Sequence, residues 1–297
     1  MQQYDLVSLR SFIAVVDKGN FNQAAELLEA STAAVSRRVS GLEKSLGVKL
    51  LNRTTRKIDL TESGKQFYDD VVNILHSLEE AEERIQQGTN TIKGTLRIAA
   101  GVSFGINCLS PLLTSFMKLH PDIEVQLKLD DHTTDLVAES IDIAIRIGNL
   151  KDSTLVANRI GYIPRIFCAS PDYLSKHGVP LQPKDLSQHN CLRYISSNAK
   201  YGFDYFRDGV EHNIDVSGSL STNNGDVLKD AAIKGIGITL LPPFIINDAI
   251  KKGELQEILA DFRPQPFGLY AVRQSRDFTP AKVTAMINYL KENYITY

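Results

Sequence analysis

Ser31-Thr32-Ala33-Ala34-Val35-Ser36-Arg37-Arg38-Val39-Ser40-Gly41-Leu42-Glu43-Lys44-Ser45-Leu46 decides how the rest of the chain is read. Val35, Val39, Leu42 and Leu46 recur at helical spacing and make one continuous apolar stripe. Half a turn away lie Ala33, Arg37, Ser40 and Lys44, with Ser36 on the flank. One face is therefore greasy, and the other is small, hydroxylic and cationic. Such a helix buries its stripe in a small domain and offers the other face to a major groove. Small residues permit close approach there, and Arg37 reaches base edges or phosphates.

Working outward, two helices precede this one. Asp5 caps the first, whose Leu6, Leu9, Ile13 and Val16 share a face, and Gly19 ends it. Asn22 is expected to cap a short second helix carrying Ala24, Leu27 and Leu28; Ser31 or Thr32 caps the third, and Gly47 stops it. Three helices so spaced make a helix-turn-helix core. Lys49 to Leu60 then reads as a hairpin turning at Thr54-Thr55, a wing with Arg53, Arg56 and Lys57 near its tip. Between Ser31 and Lys57 seven cationic side chains face Glu43 alone. The 297-residue chain carries a net charge of only −2, so any nucleic-acid site is local.

Thr61 or Ser63 opens a long helix reaching about Gln87. Its Phe67, Val71, Ile74, Leu78, Ala81 and Ile85 form a narrow heptad seam suited to pairing with a second copy; packing on its own chain is the alternative. Beyond the polar linker 89–93 the pattern changes to strands and helices in alternation. Strands are expected at 95–100, 123–129, 141–147, 165–169, 191–195, 213–216, 236–241 and 267–272. Helices are expected at 110–120, 134–139, 171–176, 224–234 and 280–293. Alternation of this kind argues for parallel α/β sheets in two lobes, with crossovers near 163 and 267 and a cleft between them.

An apolar fraction of 43% supports real cores. Three scattered cysteines, Cys108, Cys168 and Cys191, suit free thiols in a reducing compartment. Cys168 is either a redox sensor or a buried inert thiol. With no basic and apolar leader and no run of about 20 apolar residues, the expectation is a cytoplasmic protein without a membrane partner. Neither the histidines nor the cysteines show metal-ligand spacing, and no cofactor fingerprint is complete.

Several stretches in fixed order resemble the LysR-type transcriptional regulators over essentially the whole chain. They are Phe21 to Leu28, Ala34 to Glu43, Leu50 to Arg56, Leu60 to Gly64, Asp142 to Gly148, Ala169 to Leu174 and Gly235 to Pro242. The resemblance implies a fold of mixed α and α/β class. A winged helix-turn-helix (residues 1–61) and a dimerising linker helix (62–88) precede a two-lobe effector domain of the periplasmic-binding-protein type (89–297). Lobe I would span about 93–163 and 268–297, and lobe II about 164–267. Implied partners are double-stranded DNA, a small-molecule effector, further copies of the chain as dimer and tetramer, and RNA polymerase if the protein activates. In the implied mechanism the effector closes the lobes, shifts the tetramer and changes the bend of the DNA. Thr32, Ala33, Ser36 and Arg37 would read the major groove, Arg38 a flanking phosphate, and Arg53, Arg56 and Lys57 the backbone or minor groove. The family commonly carries Gln-Pro where this chain has Thr32-Ala33; Thr32 cannot make the bidentate adenine contact of a glutamine, which shifts operator preference.

For the effector the candidates are Ser103, Phe104, Asp131, Arg146, Thr222 and Asn223. Ser103, with neighbouring N–H groups, would hold a carboxylate or other anion. Arg146 is either a second anion contact or the partner of Asp142 or Asp131. Thr222-Asn223 either caps a helix or binds ligand. Two rival functions have less support. Gly101-Val102-Ser103-Phe104-Gly105 matches the nucleophile elbow of serine hydrolases, but no histidine follows His212 to serve as the late base. A solute-binding protein with an added helical module would need an export signal.

Overall fold

A computed structural model describes residues 5–53, 58–85, 92–132, 135–148, 155–195, 202–274 and 279–295; the side chains of 53, 76–77 and 79–85 are outside the description. The chain divides into two units, one within Met1–Thr89 joined by Val137–Ser140, the other within Asn90–Leu136 and Ile141–Tyr297.

The first unit begins with α1 (Leu6–Lys18), capped by Asp5, whose carboxylate accepts from Ser8 N at 2.8 Å, and closed by Gly19. Its fully buried face is Phe12 and Val15 beside Leu9, whereas Leu6 is exposed. The stripe lies about a third of a turn from the one expected, because α2 (Phe21–Leu27) and α3 (Thr32–Leu46) pack on the Phe12 side. Asn20, not Asn22, caps α2: Phe21 is already helical, and Asn20 Oδ1 accepts from Asn22 N at 2.7 Å. Ser31 caps α3, and Gly47 ends it at φ +73°, a conformation that costs a glycine nothing.

The wing pairs β1 (Leu51–Arg53) with β2 (Ile58–Leu60), Leu51 opposite Leu60 and Arg53 opposite Ile58. Thr61 then turns the chain into α4 (Glu62–Ile85), its hydroxyl donating to Lys49 O at 2.7 Å and accepting from Gly64 N at 2.9 Å. The start of α4 lies so close to β1 that a Cβ on Gly64 would stand 2.0 Å from Leu50 O. The seam divides along its length. Val71 is buried in the helix-turn-helix core with Phe67 and Leu75 against it, and the Phe67 and Tyr68 rings lie 5.8 and 6.4 Å from that of Phe12. These positions pack on their own chain; Ile74 is 54% exposed. No described helix is long and apolar enough to cross a membrane.

In the second unit β3 (Gly94–Ala100) leads into a helical stretch of α5 (Val102–Phe104), a π-helical turn (Gly105–Leu109) and α6 (Ser110–Leu119). β4 (Ile123–Leu129), β5 (Ile143–Ile147) and β6 (Leu155–Ile163) follow, then β7 (Ile166–Ala169), α7 (Pro171–His177) and β8 (Cys191–Tyr194). The hairpin β9 (Phe203–Arg207) and β10 (Val210–Ile214) precedes β11 (Ser221–Thr222), α8 (Gly225–Ile233), β12 (Ile238–Leu241) and α9 (Pro243–Lys251). β13 (Gln256–Ile258), β14 (Phe267–Gln274) and α10 (Ala281–Asn293) complete the chain.

Two five-stranded sheets result, ordered β4-β3-β5-β14-β6 and β11-β8-β12-β7-β13. They are mixed, not parallel. Four strands of each run in one direction and one runs against them: β14 returns from the second lobe to pair antiparallel with β5 and β6, and β7 pairs antiparallel with β12 and β13. Residues 136–140 form turns in place of the expected short helix. Lobe I packs Leu96, Ile98, Ile143, Ile145 and Leu269 against Phe116, Met286 and Leu290. Lobe II has a core on each face of its sheet. The chain crosses between lobes at Pro164-Arg165 and again ahead of β14. Arg165 ties the two crossings: Nη2 donates to Gln265 O at 3.3 Å, Nη1 pairs with Asp204 at 3.6 Å, and the guanidinium stands 3.6 Å over the Phe267 ring.

Candidate DNA-reading face and effector crevice

With Val35, Val39 and Leu42 buried, α3 turns Thr32, Ala33, Arg37, Ser40 and Lys44 to solvent. Ser36 and Arg38 are half-buried on the flanks. Arg38 sits toward α1, where its charge adds weakly to the Ser8 hydrogen bonds that hold Asp5 below the usual carboxylate range. The Thr32 hydroxyl donates to Asn22 Oδ1 at 3.0 Å, linking the first turn of α3 to α2. Arg53 lies in β1; Arg56 and Lys57 lie outside the described residues.

Sequence reasoning missed Glu43. It is 3% exposed, on the buried side of α3 beside Leu42. Its Oε1 accepts from Leu50 N at 3.0 Å and Leu51 N at 3.2 Å, and its Oε2 pairs with Lys49 Nζ at 3.3 Å. A single carboxylate thus fixes the first strand of the wing to α3. The signal was present: an acid four residues after Val39 falls on the apolar stripe.

The second site forms where the carboxyl ends of parallel strands meet, the place where α/β sheets bind ligands. β3 ends at Ala100, level with Leu129 of β4 and Ile145 of β5, so Ser103, Asp131 and Arg146 gather at one edge of lobe I. In lobe II Thr222 pairs with Tyr194, and the chain continues through Asn223 and Asn224 into α8. Two hydrogen bonds join these edges. Ser103 Oγ donates to Asp226 Oδ2 at 2.6 Å, and Asn224 Nδ2 donates to Asp131 Oδ2 at 3.1 Å. Asp131 Oδ1 also accepts from Val102 N at 2.9 Å. Burial raises the Asp226 carboxyl, but the Lys229 ammonium at 2.8 Å and the Ser103 hydroxyl outweigh it, leaving the group below the usual aspartate value. Burial first, then the charge of Asp131, push the Tyr194 phenol up to about 12, although the residue is 43% exposed.

Of the expected residues, Ser103 and Asp131 take part in the bonds between the lobes, and Arg146 and Thr222 lie at the ends of neighbouring strands with Asn223 next in the chain. Phe104 follows Ser103 in α5. Its ring is buried in lobe I, 5.6 Å from Phe244 of lobe II and 6.2 Å from Tyr294, an apolar contact beside the hydrogen bonds. Asp131 is held by Val102 and Asn224, and Asp142 by Arg97 N at 2.8 Å. Arg146 is half-buried, and desolvation lowers its pKa. Thr222 Oγ1 accepts from Asn224 N at 3.2 Å, and Asn224 caps α8, so capping accounts for this turn. Asn224, Asp226 and Tyr194 are crevice residues that sequence reasoning missed. Cys168 is buried in β7 with its thiol pushed up to about 12, mainly by desolvation, as an inert thiol requires. Among the described residues, Ser103 is hydrogen-bonded to a carboxylate and to no histidine, unlike a hydrolase nucleophile.

Residues 6–65 match the family model described as bacterial regulatory helix-turn-helix protein, lysR family, and residues 89–294 match the LysR substrate binding domain. An uncharacterized HTH-type transcriptional regulator of Haemophilus influenzae is 36% identical, covering 96% of this chain and 99% of its own. The HTH-type transcriptional activator AaeR of Escherichia coli is 35% identical over 96% of this chain and 92% of its own. Among solved structures, the full-length Vibrio cholerae virulence activator AphB matches at 29% identity and TM-score 0.64, over 98% of this chain and 100% of that one.

Proposed function

The chain belongs to the LysR family of transcriptional regulators, and we propose how its residues divide the work of reading DNA and sensing a small molecule. Thr32, Ala33 and Arg37 enter the major groove with Ser36 beside them, Arg38 holds a flanking phosphate, and the wing residues Arg53, Arg56 and Lys57 hold backbone or minor groove. The observation that carries this reading is the exposed, small and cationic face of α3 over a wing anchored by Glu43. The effector binds where Ser103, Asp131 and Arg146 of lobe I face Thr222, Asn223 and Asn224 of lobe II. Its binding changes how the lobes close and, through a dimer made by α4 and a tetramer built on it, how the DNA is bent. The protein acts without catalysis, in the compartment that holds DNA, and an activating role would add RNA polymerase as a partner.

Binding to the promoter DNA beside its own gene, followed across salt concentrations, tests the reading. The expected result is steeply salt-dependent binding that exceeds random DNA by roughly a thousandfold. Equal affinity for both DNAs would overturn it.

A further inference from the structure

The donors at the end of β3 are already occupied by carboxylates of this chain. Val102 N–H is on Asp131 Oδ1 at 2.9 Å, and the Ser103 hydroxyl is on Asp226 Oδ2 at 2.6 Å. The second carboxylate comes from the opposite lobe, 123 residues away in sequence. Ser103 is 8% exposed, and its carbonyl accepts from Asn107 Nδ2 at 2.9 Å, so its place is fixed. Asp226 is backed by Lys229 Nζ, 2.8 Å from its other oxygen. Only one oxygen of Asp226 therefore depends on Ser103, and Asp226 keeps a cationic partner if that oxygen leaves.

Resting on the reading of this crevice as the effector site, we propose that Asp226 is a tethered occupant of a carboxylate subsite at Ser103, and that an acidic effector binds by displacing it. The exchange is close to balanced, since one charge-assisted O–H···O⁻ bond replaces another and Lys229 continues to neutralise Asp226. The remainder of the effector then supplies the affinity. A neutral acceptor on this hydroxyl gives up the charge assistance of the bond it displaces, and a cationic group without a free lone pair offers no acceptor at all, so Asp226 favours acids as well as holding the lobes together without ligand.

Acetate is the carboxylate of Asp226 in free form, and it serves as the probe. Thermal unfolding of the full chain is followed in sodium acetate against sodium chloride at equal ionic strength. Asp226→Ala is expected to gain a saturable acetate-dependent rise in Tm of several degrees that the wild type lacks and that Ser103→Ala/Asp226→Ala loses. A rise equal in wild type and Asp226→Ala, a rise that survives in the double variant, or no rise in Asp226→Ala overturns the proposal. Should Asp226→Ala fail to fold, Asp226→Asn fills the same space without the charge. Benzoate, titrated calorimetrically, is then expected to bind the Asp226→Asn variant about tenfold tighter than wild type, because a neutral amide oxygen holds the Ser103 hydroxyl less strongly than a carboxylate and is displaced more easily; equal affinity overturns the proposal. None of these readouts involves DNA, so failure of operator binding would count against the regulator reading alone.

Discussion

Glu43 is an acid on the buried side of a helix whose exposed side is cationic, and its carboxylate replaces water for two backbone N–H groups. Removing it leaves the donors of Leu50 and Leu51 buried without an acceptor, at about 1–3 kcal/mol for an unsatisfied group. Glu43→Ala is expected to lower the urea midpoint by that order and to weaken DNA binding through a displaced wing. Glu43→Gln keeps one acceptor oxygen and should recover most of the stability. Equal losses for the two variants would show that the carboxylate is not needed as an acceptor. Arg37 has the opposite situation, exposed on α3 over the buried stripe. Arg37→Ala should leave stability unchanged, cost about 1–3 kcal/mol of specific binding and relax base preference. Anisotropy titrations on operator and random DNA check this, and equal losses on both would reassign Arg37 to the phosphates.

Among the elements, α4 is held to the wing by a close approach that permits no side chain at position 64. A Cβ there would stand 2.0 Å from Leu50 O, a backbone atom that cannot rotate away. Gly64→Ala is therefore expected to destabilise the helix-turn-helix unit strongly despite the better helix propensity of alanine, and thermal unfolding checks it. A Tm at or above wild type would mean that α4 can shift without loss. The same elements show what the sequence carries. The stripe of α3 is legible because one helix buries one face and its period is visible in 15 residues. The face of α1 is misjudged by a third of a turn because Leu6, Leu9, Phe12, Ile13, Val15 and Val16 are all apolar; only the position of α2 and α3 decides among them. Parallel β3, β4 and β5 are legible from alternation, but β14 enters between β5 and β6 from another lobe, and no local pattern records strand direction. Ser103 and Asp131 can be named from their places at strand ends. Asp226 and Asn224 cannot, because their partners lie 123 and 93 residues away and each also fits an ordinary first helical turn.

For the molecule as a whole, the two-lobe unit depends on two crossings and on the bonds across the crevice, and each responds to a different perturbation. Asp226 has a folded-state pKa below its ordinary 3.8, so its contribution to lobe contact is present above that value and lost as pH falls through the lower folded value. Hydrogen exchange at residues 101–107 should accordingly rise in acid more steeply in wild type than in Asp226→Asn, and identical profiles would remove Asp226 from the contact. The crossings depend on Arg165, which is 9% exposed, with its Nε lacking an acceptor and burial lowering its pKa more than Asp204 and Glu211 restore it. Against this cost, one planar cation meets the Gln265 carbonyl, the Phe267 ring and Asp204 together, which joins the first crossing to the second. Breaking a buried pair costs about 3–5 kcal/mol, and the partial exposure of Asp204 reduces this to about 2–3 kcal/mol for Arg165→Ala. Arg165→Met keeps an apolar stem on Phe267 and should recover about half of the loss. Denaturant unfolding of the three proteins measures it. If alanine and methionine are equally damaging, the charge and not the stacking on Phe267 holds the crossings together.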